Sequence, residues 1–549
     1  MDNTELSSPL LNSSGGADDD DRYDTLGSTT KPSRSLASSI ITDGSTLVST
    51  MSGSSSVGDP ERGEGRSGGA TDAPAASQHI EHNMSGFMLA VIIFFTMSGG
   101  PIGVEPSIRA AGNLYAIIGF AVMPILWALP EVLITTELGL RYPCASGGVR
   151  WCEEAFGPKA GLLVGYLGWV SGVANNATLP VLFLQYVLNQ FYPNLYDEIN
   201  ALLRYGILFG ITLLLTIVNY RGLEIVGKVL VFLLVISMAP FLIMVVMGIP
   251  QVNTDRWLQT PNGQVQTFND DHQLDLDHTG WFPWQYAAGI AFRPFINNLY
   301  WCYNGFDQGG HYSSSVTKEV FFRGMAGAYI LTCCSYLVPV LIATGASNLT
   351  QSEWTAGAFA TAATQIGGKW LGNWIVVGAG LSLMALFFGE MSADSLQLMG
   401  MAELGQIPSI FATRSRYNTP TYGILLGLVI ILCLIPFKFT FIIELSNVGY
   451  CFAVTMEFLA FFQLRIRKAN DVKLLRKIGN SLLLVPTLLI NLLVICLASY
   501  ATYIYAVSMI AFGMVLIHAN SIWKCIKREK VGAAQSSTSE DDRKDVTLL

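Results

Sequence analysis

The sequence carries little charge: only 13% of its 549 residues are Asp, Glu, Lys or Arg, whereas 51% are hydrophobic. That balance is too apolar for an ordinary soluble domain. The net charge of −8 arises mainly outside the apolar segments. It therefore gives no indication of nucleic-acid binding, and we expect no nucleic-acid partner.

Motifs for metal binding, nucleotide binding and nucleophilic catalysis are absent as well. The nine cysteines form neither a CxxC pair nor a Cys/His pattern, so we interpret them as small apolar core residues. There is no HExxH motif, and the segment Gly222–Val229 has valine where a phosphate loop needs Ser or Thr. We expect no metal, no cofactor and no enzymatic activity.

What the sequence does contain is a series of apolar runs of 18 or more residues, each long enough to cross a hydrocarbon core of about 30 Å. They predict an all-α membrane protein with a transporter domain over residues 84–524. We count twelve predicted spans, near 85–110, 114–140, 158–189, 202–219, 224–249, 290–313, 323–346, 372–400, 419–436, 439–464, 478–499 and 501–523.

Basic residues concentrate in alternate predicted loops, and the opposite loops are acidic or neutral. The basic loops contain Arg141, Arg150, Lys159, Arg221, Lys228, Lys318, Arg323, Arg414, Arg416, Arg465, Arg467 and Lys468. The positive-inside rule then predicts that both termini are cytosolic. Asn348, in an Asn-Leu-Thr sequon, would face outside and is the predicted glycan acceptor.

The two ends of the chain differ from the apolar centre. Residues 1–83 are rich in Ser, Gly and Asp, with thirteen acidic side chains against five basic ones. A segment of this composition buries too little apolar surface to fold alone, so we expect a disordered cytosolic N-terminal tail. It lacks the apolar run of a cleavable signal peptide. Residues 525–549 are expected to form a cytosolic C-terminal tail.

Glycine and proline interrupt two of the predicted spans. In the first span, Ser98–Gly103 contains three glycines and a proline, which predicts a helix break near mid-membrane. In the sixth, Asn304 and the segment Gly305–Gly310 predict a second break. These positions correspond if the first ten spans form two five-helix repeats of inverted topology, and such broken helices form the substrate site.

Acidic side chains outnumber basic ones inside the predicted spans. The acids are Glu105, Glu131, Glu137, Asp307, Glu390, Asp394, Glu444 and Glu457, against few cations, chiefly Arg109 and Lys228. In a low-dielectric bundle, excess negative charge has to be balanced by protons, metal ions or a cationic substrate.

Four of these acids have specific interpretations. Asp307 lies inside a break, where an isolated carboxylate costs about 2.5–3.5 kcal/mol, and we interpret it as substrate-binding. Glu390 and Asp394 share one helix face, where two like charges suit a proton-coupling site, with helix capping as the alternative. Glu105 either contributes to the substrate site or pairs with Arg109 at i, i+4 spacing.

Aromatic side chains crowd the second break: Tyr300, Trp301, Tyr303, Phe306 and Tyr312. A ring beside a carboxylate suits an ammonium group, since each good cation–π contact contributes about 0.5–2 kcal/mol. Amino-acid carriers of this architecture use backbone N–H groups of the first break to hold the substrate carboxylate. Pro101 lacks that donor and Glu105 adds repulsion, which argues against a substrate with a free carboxylate.

Five segments resemble the polyamine:proton symporters of plants and protozoa, within the amino acid–polyamine–organocation superfamily. They are SGGPIGVEPSIRAAG, LPEVLITTELGLRYP, GWVSGVANNATLPVLFLQY, NYRGLEIVGKV and GEMSADSLQLMGMAELGQIPSIFATRSRYNTPTYGIL, and the similarity runs from about Gly86 to Arg467. The resemblance implies a LeuT-type 5+5 inverted-repeat fold with discontinuous helices 1 and 6. It also implies import of putrescine- or spermidine-like polyamines together with protons.

The resemblance also assigns individual residues to family-motif positions and shows where this chain departs from the family pattern. The first break, Glu105, Asp307, Glu390 and Asp394 occupy family-motif positions. Similar plant members carry an acid where this chain has Asn175, and another near Ser446, whereas here Glu444 lies two residues earlier. The predicted substrate-binding residues are Ser98, Gly99, Gly100, Gly103, Glu105, Asn175, Trp301, Tyr303, Asn304 and Asp307, with Glu390 and Asp394 for proton coupling.

The interpretation from sequence is a monomeric secondary transporter in the plasma membrane, importing a small cationic polyamine with protons by alternating access. Two alternatives stay open. One is an amino-acid permease, for cationic amino acids first. The other is a transporter-like nutrient receptor, in which the N-terminal tail signals.

Overall fold

The computed structural model describes residues 84–191, 199–261, 286–287, 289–355, 357–437, 439–467, 484–498, 500, 502–515 and 517–518. Regular structure within these residues is almost entirely helical, apart from one hairpin in which β1 (Tyr286–Ala287) pairs antiparallel with β2 (Ile290–Ala291). The helices are α1 (Gly86–Met97), α2 (Glu105–Met123), α3 (Leu129–Arg141), α4 (Gly148–Phe156), α5 (Pro158–Phe191), α6 (Ala201–Tyr220), α7 (Leu223–Gly248), α8 (Phe292–Tyr303), α9 (Lys318–Ala346), α10 (Ala358–Gly367), α11 (Lys369–Glu403), α12 (Thr421–Leu434), α13 (Phe439–Arg467), α14 (Leu484–Cys496) and α15 (Thr502–Val515).

Several of these helices have the length and apolarity needed to cross a membrane. Six stretches of the described residues meet that requirement: Glu105–Arg141, Pro158–Leu188, Ala201–Tyr220, Leu223–Gln251, Lys318–Ala346 and Lys369–Glu403. Large apolar side chains such as Leu202, Leu242 and Val246 are exposed on their outer faces. Such surfaces suit lipid, in which helices satisfy their own backbone hydrogen bonds. The predicted all-α membrane class is confirmed at this level.

The first predicted break is present. α1 ends at Met97 and α2 begins at Glu105, with Gly100 and Gly103 in the left-handed region at φ 79° and 80°. Residues other than glycine rarely adopt that conformation. A Cβ on Gly103 would also lie 2.7 Å from the Trp301 ring, so this turn needs glycine for both conformation and space.

The second predicted break is present too, and it lies beside the first. α8 ends at Tyr303, Gly305 has φ 101°, and the chain continues as a 3₁₀ helix over Phe306–Tyr312. A Cβ on Gly305 would lie 3.1 Å from the Cβ of Met97, the last residue of α1. The two interruptions therefore meet in space although about 200 residues separate them in sequence.

A set of helices surrounds the two breaks. α11 packs against α1, α5 and α7, and α5 also packs against α13. α2 continues into α3 through a π-helical turn at Pro124–Ala128. Gly112, at φ 73°, kinks α2 at the point where the sequence predicts the end of the first span. These contacts place α5 and α11 beside α1 and α13.

Some sequence predictions fall outside the described residues. These are the N-terminal tail over 1–83, the C-terminal tail over 525–549 and the basic segment that includes Lys468. The side chain of Glu444 is not described either. All of the described residues belong to one compact unit, Pro74–Leu549.

Candidate functional site

A small cavity lies where the two breaks meet. α1, α5, α8, α11 and α13 all contribute to its wall, together with the second break. The lining residues are Thr96, Met97, Ser171, Gly172, Asn175, Trp301, Asn304, Gly305, Gln308, Leu386, Glu390, Ser446, Asn447 and Tyr450. Most of the wall is polar and uncharged, with a single carboxylate.

Four of the predicted site residues lie in this wall: Asn175, Trp301, Asn304 and Glu390. Other lining residues, notably Ser171, Gln308 and Asn447, were not predicted. Ser171 and Asn175 are four residues apart on α5, so their polarity on one face was a detectable pattern. Asn447 lies in an apolar run with no such regularity.

Glu390 is the carboxylate of the cavity. Its side chain is 2% exposed, and Oε1 accepts a hydrogen bond of 2.7 Å from Asn175 Nδ2. Oε2 is buried and has no hydrogen-bond partner among the described residues. Because buried carboxylate oxygens are normally hydrogen-bonded, this oxygen lacks the donor that would satisfy it.

Asp394 lies one turn further along α11 and does not line the cavity. Its Oδ1 packs directly against Gly172 of α5, where a Cβ would collide with it. Its Oδ2 is also without a partner among the described residues. The structure thus places Glu390 and Asp394 on one buried face, as predicted, but only Glu390 reaches the cavity.

Asp307 lies in a second cluster of acids, behind the break. Tyr450 Oη is 2.6 Å from Asp307 Oδ1 and 2.9 Å from Glu131 Oε1. The backbone N–H of Gly305 donates to Tyr450 Oη at 2.8 Å and to Glu131 Oε1 at 3.1 Å. The Asp307 N–H also donates to Glu131 Oε1, at 3.1 Å. Asp307 itself is absent from the cavity wall.

The residues of the first break are held by protein groups. Ser98 Oγ donates to Tyr336 Oη at 2.9 Å, and the Gly100 N–H donates to Ser98 Oγ at 3.2 Å. The Gly99 carbonyl accepts from Ser382 Oγ. None of the predicted residues Ser98, Gly99, Gly100 and Gly103 lines the cavity.

Glu105 is buried at the start of α2 and is 2% exposed. Its Oε2 accepts from the Gly103 N–H at 3.0 Å, and its Oε1 accepts from the Gly357 N–H at 3.3 Å. The carboxylate therefore ties the first break to the segment before α10. The pairing with Arg109 that the spacing allows stays a prediction.

Two further predicted residues lie away from the cavity. Tyr303 is fully buried, and its hydroxyl donates to the Phe120 carbonyl at 3.1 Å. Asn348 is exposed, and its Oδ1 accepts a hydrogen bond from Arg256. That bond uses the oxygen rather than the nitrogen that would carry a glycan, so it is compatible with the predicted modification.

Comparison with known proteins agrees with this arrangement. Residues 84–522 match the amino acid permease family. Polyamine transporter PUT1 of Oryza sativa subsp. japonica is 37% identical over 451 residues, covering 81% of this chain and 80% of the relative. Polyamine transporter RMV1 of Arabidopsis thaliana is 36% identical over 483 residues, covering 86% and 91%. A probable polyamine transporter of Arabidopsis thaliana is 37% identical over 436 residues, covering 78% and 85%.

The family match covers most of the chain, and the relatives are transporters rather than enzymes. Helices able to cross a membrane converge on a polar cavity between two broken helices. This chain is therefore a multi-pass membrane transporter that belongs to the amino acid permease family.

Proposed function

We propose that this protein is a secondary active transporter that imports polyamines of the putrescine or spermidine type together with protons. The observation that carries the proposal is Glu390 in the cavity wall, with Oε1 fixed by Asn175 and Oε2 buried without a partner among the described residues. An ammonium group supplies the donors that such an oxygen lacks. The names of the similar proteins support the same substrate class.

The rest of the wall suits an amine chain. Trp301 offers a ring for cation–π contact, worth about 0.5–2 kcal/mol. Asn304, Gln308 and Asn447 offer amide oxygens at other points of the cavity. Gln308 Oε1 is buried and has no partner among the described residues. A polyamine has several amines separated by methylene groups. One amine would meet the Glu390 carboxylate, and the others would meet the neutral acceptors dispersed around the wall.

The first break supports an amine without a carboxylate over an amino acid. Pro101 has no backbone N–H, and the N–H groups of Gly100 and Gly103 already donate to Ser98 and Glu105. Those groups would be the natural donors to a substrate carboxylate at a helix terminus. The amino-acid permease, for cationic amino acids first, is therefore the second candidate.

We further propose twelve spans with a LeuT-type inverted repeat over residues 84–524. The contact between the breaks that precede α2 and follow α8 supports this arrangement, because corresponding broken helices meet at the site in such folds. The six described stretches long and apolar enough to cross a membrane, each of which overlaps a predicted span, also support it. Cytosolic termini, a plasma-membrane location and a monomeric state complete the proposal.

A competition panel tests the substrate class. Purified protein in proteoliposomes takes up labelled putrescine while excess unlabelled spermidine, spermine, arginine, lysine or leucine is added outside. We expect the polyamines to compete and leucine to have no effect. Competition by arginine and lysine but not by spermidine would favour the amino-acid permease instead. Saturable binding without any uptake would favour the receptor alternative.

Glu390→Gln is the matched variant for the site. It keeps the side-chain volume and an acceptor for Asn175 but removes the charge. Its control is Glu403→Gln, which breaks only the ion pair with Arg414 at the end of α11, at 3.2 Å. Putrescine uptake should fall strongly in Glu390→Gln and stay unchanged in Glu403→Gln.

A further inference from the structure

The cluster of Glu131, Asp307 and Tyr450 contains more acceptors than donors. A tyrosine hydroxyl carries one proton and can donate it only once. Tyr450 Oη nevertheless lies at hydrogen-bonding distance from two carboxyl oxygens, 2.6 Å from Asp307 and 2.9 Å from Glu131. Its remaining contact is with the Gly305 N–H, which is itself a donor. One of the two carboxyl contacts therefore requires a proton on the carboxyl group.

A second observation points to the same proton. Glu131 is 0% exposed, and its Oε2 is buried without a hydrogen-bond partner among the described residues. An ionised carboxylate in that position would leave an uncompensated oxygen in an apolar interior. A neutral carboxyl group satisfies the hydroxyl count and lowers the cost of burying the unpartnered oxygen.

We propose that the carboxyl groups of Glu131 and Asp307, which the Tyr450 hydroxyl bridges, share the transported proton, while Glu390 binds the substrate amine. This assignment rests on the proposed polyamine–proton symport. It differs from the sequence-based interpretation, in which Asp307 binds substrate and Glu390 and Asp394 carry the proton. In this assignment the ligand of the pair is a proton.

The position of the pair explains how a proton and a substrate would influence each other. Glu131 Oε1 accepts the backbone N–H groups of Gly305 and Asp307, which form the second break. Hydrogen bonds to an ionised carboxylate are about twice as strong as those to a neutral group. Loss of the proton thus tightens the break, and the same segment supplies Asn304, Gly305 and Gln308 to the cavity wall.

The titratable groups that face the pair are Tyr450 and Glu457 from α13 and Tyr300 from α8. The Tyr300 hydroxyl donates its proton to Asn491 Oδ1 at 2.9 Å, so that proton is not donated to the acid pair. Glu457 is buried, and its carboxyl group packs against Gly148.

Two assays on proteoliposomes separate proton coupling from substrate binding. Counterflow of labelled putrescine measures binding and translocation without any pH gradient, and accumulation under an acid-outside gradient measures coupling. The variants are Glu131→Gln, whose amide mimics a permanently protonated acid, Asp394→Asn, and Glu403→Gln as the control.

We expect Glu131→Gln to keep counterflow and lose the gradient-driven accumulation, whereas Asp394→Asn and Glu403→Gln keep both. Wild-type accumulation in Glu131→Gln, or its loss in Asp394→Asn alone, would overturn the assignment. A wild-type protein without putrescine counterflow overturns the proposed function, and this inference with it.

Tyr450→Phe covers the case in which Glu131→Gln does not fold. It removes the bridge but keeps both acids, so the external pH for half-maximal uptake should shift relative to the wild-type protein. An unchanged pH profile in a folded, active Tyr450→Phe protein would contradict a shared proton.

Discussion

Replacing Glu390 by glutamine isolates the contribution of one charge to substrate affinity. The amide occupies nearly the same volume, and its oxygen can still accept from Asn175 Nδ2, which donates at 2.7 Å in the wild-type protein. What disappears is the charge that an ammonium group would meet at Oε2, a buried oxygen with no partner among the described residues. The perturbation is therefore confined to the proposed contact.

The size of the effect follows from that contact. A hydrogen bond to a charged group contributes about 1.5–3 kcal/mol. With about 1.4 kcal/mol for each tenfold change, the Kd for putrescine should rise by about 10- to 150-fold. The control Glu403→Gln removes a partly exposed ion pair, worth about 0–1 kcal/mol for folding, and should leave the Kd unchanged.

Equilibrium binding of labelled putrescine to purified protein in detergent, at one fixed pH, measures this Kd directly. Thermal unfolding of the same samples establishes that both variants are folded. An unchanged Kd in a folded Glu390→Gln protein would refute the assignment of Glu390 as the ammonium partner.

Three other predictions address the breaks, the packing of Glu457 and the outer surface. Gly305→Ala should destabilise the protein by about 1–2 kcal/mol because of its φ of 101°, seen as a lower unfolding midpoint than in Gly206→Ala, where a Cβ meets nothing within 4 Å. Gly148→Ala should displace the buried Glu457 carboxyl, which a Cβ at this position would meet, and lower the unfolding midpoint; an unchanged midpoint would contradict that contact. Asn348→Gln should remove a glycan, seen as faster gel migration, without loss of uptake. Unchanged migration of protein from a glycosylating host would show that Asn348 carries no glycan.

The breaks and helices were predictable because they depend on local chemistry. Ser98–Gly103 and Gly305–Gly310 cluster glycine with proline or polar residues, which favours a helix break, and apolar length defines a span. The six described stretches that are long and apolar enough to cross a membrane each overlap a predicted span for this reason. The pairing of the two breaks was predictable only through their matching positions in two repeats.

The orientation of Asp307 could not be predicted in the same way. Its partner Glu131 is 176 residues away, and the sequence marks Glu131 only as one of eight acids in predicted spans. Tyr450, which joins the two, is one of 21 tyrosines and has no distinguishing neighbour in the sequence. A contact that depends on how three helical segments pack cannot be recognised from the local sequence pattern.

The position of Glu390 was predictable only in part. Its spacing from Asp394 correctly predicted a shared buried face, since i and i+4 residues align on a helix. Which of the two reaches a cavity depends on the neighbouring helix, where Gly172 leaves room for Asp394 and Asn175 meets Glu390.

Uphill accumulation of putrescine by the purified protein is the decisive measurement for proton-coupled import. Proteoliposomes with equal putrescine inside and outside are given an acid exterior, and internal label and internal pH are followed together. We expect accumulation above the starting concentration, accompanied by acidification of the interior and abolished by a protonophore. Equilibration without accumulation, or accumulation that requires a sodium gradient, would contradict proton-coupled polyamine import.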